Sequence, residues 1–160
     1  QRLALRGGSN GGLLVGAVMT QRPDLVKAVV ASVGLFDMLR SELEPNGVFN
    51  IPELGTVKHP AQFRALHAYS PLLRIKDGVN YPAVLLTTGE NDGRAPPYES
   101  RKMAARLQAA SVSGHPVLLR TDAEAGHGIG TALSSRIEKE ADVYTFLVDQ
   151  LRIAGPMKAP

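Results

Sequence analysis

The 160-residue chain has no cysteine and no tryptophan. Without cysteine there is no disulfide, no thiol nucleophile and no cysteine-held metal, although the absence assigns no compartment. Localisation stays open between cytoplasm and periplasm. Aromatic residues are only 5% of the chain. No apolar run reaches the roughly 18 residues of a spanning helix, so no membrane partner is expected. No signal-peptide pattern is visible. The 18 Lys and Arg are scattered, and a net charge of +3 with a pI of about 9.4 gives no basic patch for nucleic acid. No His-x-x-x-His spacing is present, so neither a metal nor a cofactor is expected. The chain starts without Met and nearly inside a strand, which predicts a longer parent protein.

What is present is ordinary for a globular domain: 44% hydrophobic and 21% charged residues. Strand and helix patterns alternate. Strands are predicted at about 2–6, 26–31, 83–88 and 117–121. Helices are predicted after the first strand, over 61–68, from Pro97 to about Ala110, and from Ser134 to Ile153. In the last of these, Ile137, Ala141, Tyr144, Val148 and Leu151 recur at helical spacing. Residues 44–60 form a long irregular connection, a feature often functional or mobile. This order predicts an α/β fold, with a mostly parallel sheet and flanking helices. Residues 1–154 form the domain and 155–160 a C-terminal tail.

One stretch organises the chain. Arg6-Gly7-Gly8-Ser9-Asn10-Gly11-Gly12 lies between the first strand and an apolar helix. Gly7-x-Ser9-x-Gly11 fits a nucleophile elbow, in which a serine sits exposed on a strained strand-to-helix turn. Glycines give such a turn its unusual backbone angles and allow close approach of strand and helix. The helix N-terminus directs N–H groups at an oxyanion formed beside the serine. A glycine-rich turn with an incidental serine is the plain alternative. A Walker-type phosphate loop would need a Gly-Lys-Ser/Thr ending, which is missing.

Ligands of open α/β sheets bind outside the carboxyl ends of the strands. Loops predicted there carry Ser9, Asp92 and His127, in the Ser–Asp–His order of an α/β-hydrolase. A neutral serine hydroxyl needs a base, which His127 can supply. Asp92 can fix the imidazole tautomer and stabilise its charged form. Asp77, Glu90 and Asp122 compete for the acid, with Asp122 also suited to capping a turn. His59, His67 and His115 read as surface residues.

The chain resembles the prolyl oligopeptidase family of serine peptidases. The resemblance lies in Gly7-Gly8-Ser9-Asn10-Gly11-Gly12-Leu13-Leu14, Gln21-Arg22-Pro23-Asp24-Leu25, Val33-Gly34-x-x-Asp37-Met38-Leu39, Tyr69-Ser70-Pro71-Leu72, Asn91-Asp92-Gly93-Arg94 and Ala125-Gly126-His127-Gly128. These run in the family's order over nearly the whole chain.

The resemblance implies the C-terminal half of an α/β-hydrolase domain, with Ser9 as nucleophile, Asp92 as orienter and His127 as base. It implies the Asn10 backbone N–H as an oxyanion donor and Arg94 as a binder of a substrate carbonyl. The rest of the hydrolase domain and a gating β-propeller are expected outside this sequence. A second oxyanion donor, a tyrosine, is expected with them. The family's proline-stacking tryptophan has no counterpart, since the corresponding loop reads Phe49-Asn50-Ile51-Pro52-Glu53-Leu54-Gly55. Phe49 is its candidate pocket residue. The expected activity is hydrolysis of short peptides through an acyl-enzyme. An esterase on the same fold is the alternative. A third reading concerns the isolated chain: an inactive fragment whose unpaired sheet edge makes it self-associate.

Overall fold

The structure is a computed structural model that describes residues 2–153. The tail assigned to 155–160 lies outside the described residues. Four strands form one sheet in the order β1-β2-β3-β4, and every pair is parallel. They are β1 (Ala4–Gly8), β2 (Ala28–Ser32), β3 (Ala83–Gly89) and β4 (Val117–Asp122). The helices are α1 (Asn10–Gln21), α2 (Ile51–Leu54), α3 (Pro60–Tyr69), α4 (Pro71–Arg74), α5 (Pro97–Ala110) and α6 (Leu133–Gln150). The α/β class with a parallel sheet and flanking helices is as expected.

Burial on both faces explains the composition of the central strands. All seven residues of β3 are buried, and parallel strands covered on both sides read as continuous apolar runs. Alternate side chains serve opposite layers. On one face Val29, Ala31, Val84 and Leu86 pack with Val15 and Met19 of α1 and Met103, Ala104 and Leu107 of α5. On the other, Ala28, Val30 and Leu85 meet Val143 and Phe146 of α6. Each large buried side chain contributes about 1.5–3 kcal/mol relative to exposure. A third cluster, Leu13, Leu35, Met38, Leu66 and Ala95, joins α1 to the β2–β3 connection and to the loop between β3 and α5.

Two expectations change. The first strand runs to Gly8, beyond the predicted boundary at residue 6, and α1 begins at Asn10. Both Gly7 and Gly8 pair with β2, so the elbow turn is compressed into Ser9. The last helix forms as expected, but Ile137 and Tyr144 are 60% and 59% exposed. The helix has a second apolar stripe, Val143-Phe146-Leu147, and this one meets the sheet.

Candidate active site

Ser9 occupies the junction of β1 and α1 with φ 57° and ψ −122°. That conformation is costly for a non-glycine residue, on the order of 1–3 kcal/mol. Neighbouring contacts enforce it. The Ser9 N–H donates to Ser32 O at 2.9 Å, and Ser9 O accepts from the N–H groups of Gly12 and Leu13. A Cβ on Gly12 would sit 2.7 Å from the Gly34 Cα, so the helix approaches the β2 loop at a distance only glycine permits. Asn10, first in α1, has an N–H with no preceding helical carbonyl to bond.

Asp92 follows β3 and is buried. Its Oδ1 accepts from the N–H groups of Arg94 and Ala95, both at 2.9 Å. Its Oδ2 lies 2.8 Å from His127 Nδ1, and His127 Nε2 lies 3.0 Å from Ser9 Oγ. An ionised carboxylate only accepts, so the Nδ1–H donates to Asp92 and Nε2 is left to accept from the serine hydroxyl. Three residues separated by up to 118 positions thus form one continuous hydrogen-bond chain. Such a chain can move the serine proton to the imidazole while the carboxylate holds the ring.

The competing acids are committed elsewhere. Asp122 Oδ1 caps the turn of Glu124 and Ala125. Asp77 pairs with Arg106 and Glu90 with Arg101. His59 and His67 are exposed, and His115 is half-buried.

Arg94 is exposed, and its guanidinium has no hydrogen bond or ion pair among the described residues. Glu99, on the following helix, is buried. It accepts the N–H groups of Phe36 and Asp37 at 2.7 Å each. Phe49 is 78% exposed on a single-turn helix, Gly47–Asn50. It borders neither the pocket at Ser9 nor the cavity behind His127. Among the described residues no group of three or more His, Asp or Glu can hold a metal ion, and no helix is long and apolar enough to cross a membrane.

Sequence spacing misses two contacts of the 44–60 connection. Asn46 Nδ2 donates to Gly93 O at 2.6 Å, and Asn10 Nδ2 faces the Glu53 carboxylate at 3.3 and 3.4 Å. The irregular connection is therefore tied to both the Ser9 and the Asp92 loops. Only its unusual length hinted at this.

Asp37 is buried and paired with both Lys102 and Arg40. Burial raises the Asp37 carboxyl, but hydrogen bonds from Lys102 and Arg40, with their charges, outweigh it and hold it below the usual value. Glu44 is pushed up by burial and then by the nearby charge of Glu99.

A model of the prolyl oligopeptidase family matches residues 1–154. The chain is 43% identical over 155 residues to a prolyl endopeptidase of Dictyostelium discoideum, covering 95% of this chain and 20% of that one. It is 38% identical to a prolyl endopeptidase of Elizabethkingia meningoseptica, covering 94% and 22%. A solved prolyl endopeptidase structure superposes with a TM-score of 0.92 at 45% identity, over 95% of this chain and 22% of that one. The chain spans about a fifth of the length of the curated relatives it matches. With the parallel sheet, the family match and these likenesses in agreement, the chain belongs to the prolyl oligopeptidase family.

Proposed function

We propose that this chain supplies the reacting residues of a serine peptidase that cleaves short peptides, within a longer protein. Ser9 Oγ bonds to the peptide carbonyl carbon as its proton passes to His127 Nε2. The Asn10 N–H, at the positive end of α1, donates to the resulting oxyanion. The C–N bond then breaks, and the leaving amine takes the proton from His127. Water, deprotonated by the same imidazole, attacks the acyl carbon and releases Ser9. Asp92 stays ionised and stabilises the imidazolium. Arg94, whose planar donor fork has no partner among the described residues, is the binder of a substrate carbonyl. The observation that carries this reading is the unbroken Ser9–His127–Asp92 hydrogen-bond chain.

The test compares peptide amides with p-nitrophenyl esters on the full-length protein. Cleavage of both, lost together in Ser9→Ala, is expected. Ester turnover without peptide cleavage would favour the esterase reading.

For the isolated 160-residue chain a second reading has its own support. Strand β1 stands at the end of the sheet order, with one side unpaired among the described residues. Leu3, just before β1, and Ile137 and Tyr144 of α6 are exposed. Unpaired edges recruit other strands. The isolated chain self-associates and has little peptidase activity, because one oxyanion donor is worth about 100–1000-fold in rate. Sedimentation of a clean monomer with full peptide turnover would contradict this.

A further inference from the structure

Val33 has a backbone φ of +43°. A β-branched residue in this left-handed region is a genuine outlier. Glycine would take the same conformation without steric cost, and the next residue, Gly34, is one. The backbone bonds here do not need a side chain: Ser32 O accepts from Ser9 N–H at 2.9 Å, and the Val33 N–H donates to Thr87 O at 2.8 Å. What valine adds over glycine is its isopropyl group.

Val33 packs against the cluster containing Leu13 and Leu35. It also lines two openings that His127 borders: a cavity of about 40 Å³, and a pocket of about 500 Å³ shared with Ser9. The smaller cavity is large enough for water. Thr88 and Thr131 line it, and their buried hydroxyl oxygens have no partner among the described residues, which suits it to water. An imidazole that swings away from Ser9 exchanges one staggered side-chain state for another, and water competes for its nitrogens.

We infer that Val33 is a positioning residue for the proposed reaction, an apolar wall that holds His127 against Ser9 and keeps water from their hydrogen bond. The inference rests on the serine-peptidase reading. The strained backbone is maintained because it aims a branched apolar side chain at this junction.

The test uses the full-length protein with Val33→Gly, Val33→Ala and Val33→Ile. In Val33→Gly, relief of strain opposes the lost packing, so Tm stays within about 3 °C of wild type. Its kcat falls about 10- to 100-fold, the cost of a loosened catalytic geometry, while KM changes less than about threefold. Val33→Ala, which keeps the strained backbone but shortens the wall, lies between, and Val33→Ile retains wild-type kcat. A second readout needs no turnover: diethyl pyrocarbonate modification of His127, followed by mass spectrometry of its peptide. It is several-fold faster in Val33→Gly and unchanged in Val33→Ile. Wild-type kcat and an unchanged His127 modification rate in Val33→Gly would overturn the inference. So would a fall in activity that merely tracks a lowered Tm while His127 remains protected. Failure of the wild-type protein to react with a fluorophosphonate would retire the peptidase reading alone, and the His127 modification ratio would still decide the role of Val33.

Discussion

A Cβ placed on Gly7 would lie 2.0 Å from the carbonyl oxygen of Gly11, whereas a Cβ on Gly11 would meet nothing within 4 Å. The two glycines of one motif therefore have different physical standing. Gly7 lets β1 and α1 approach across the turn. Gly11 lies in the first turn of α1, where its lack of a side chain relieves no clash.

Gly7→Ala is expected to disrupt the elbow, since the opposing atoms are backbone and cannot step aside. A cost of about 4 kcal/mol or more is expected from so severe a backbone conflict. Gly11→Ala is expected to be neutral or to stabilise by up to about 1 kcal/mol through helix propensity. Thermal unfolding of the two variants in the full-length protein checks the contrast. Equal losses would place the need for glycine elsewhere than in steric approach.

Asp92→Asn keeps an oxygen for the N–H groups of Arg94 and Ala95 but removes the carboxylate that faces His127. Its Tm is expected to change little. Its kcat should fall by on the order of 10⁴-fold, because the amide cannot hold the productive tautomer and stabilise its charge. Asp92→Ala should in addition loosen the loop, lowering Tm. Steady-state kinetics beside a melting curve separates the two losses.

Arg94→Met tests the substrate clamp. The guanidinium has no partner among the described residues, so the fold is expected to be unaffected. Peptide kcat/KM should fall by about 10- to 100-fold, the value of one or two charge-assisted hydrogen bonds. A small p-nitrophenyl ester, which lacks the distant carbonyl, should be hydrolysed at nearly the wild-type rate. Equal losses on both substrates would contradict a clamp.

Asp37 gives a pH dependence of stability with a definite sign. Its carboxyl is held below the usual value, although burial raises it, because Lys102 and Arg40 favour the ionised form. The unfolded carboxyl titrates near about 3.9. The stabilisation is therefore complete above that pH and is lost as pH falls toward the lower folded value. Lys102→Met removes one charged donor and is expected to cost about 2 kcal/mol near neutral pH. The difference from wild type should shrink as pH falls below about 4. A pH series of urea unfolding curves measures it, and a gap independent of pH would assign the loss to packing.

Much of this site was legible because its chemistry is carried by residue order and local pattern. Apolar runs bounded by Gly and Pro marked the strands, and the Ser–Asp–His order lay on the loops after them. What could not be read was set by tertiary choice. Helix α6 has two apolar stripes, and periodicity alone does not say which one meets the sheet. Gly7 and Gly8 look like turn residues, yet they pair with β2 because Ser9 alone takes the strain. The ties from Asn46 to Gly93 and from Glu53 to Asn10 join residues more than 40 positions apart. Phe49, the candidate pocket residue of the loop that lacks the tryptophan, is exposed and lines neither opening at His127.

The central claim is that Ser9 is the nucleophile and that His127 activates it. Labelling the full-length protein with a fluorophosphonate, then identifying the modified peptide by mass spectrometry, tests it most directly. The expected result is one adduct on Ser9, absent in Ser9→Ala and greatly slowed in His127→Ala. An adduct on another serine, or labelling of Ser9 that is indifferent to His127, would contradict the account.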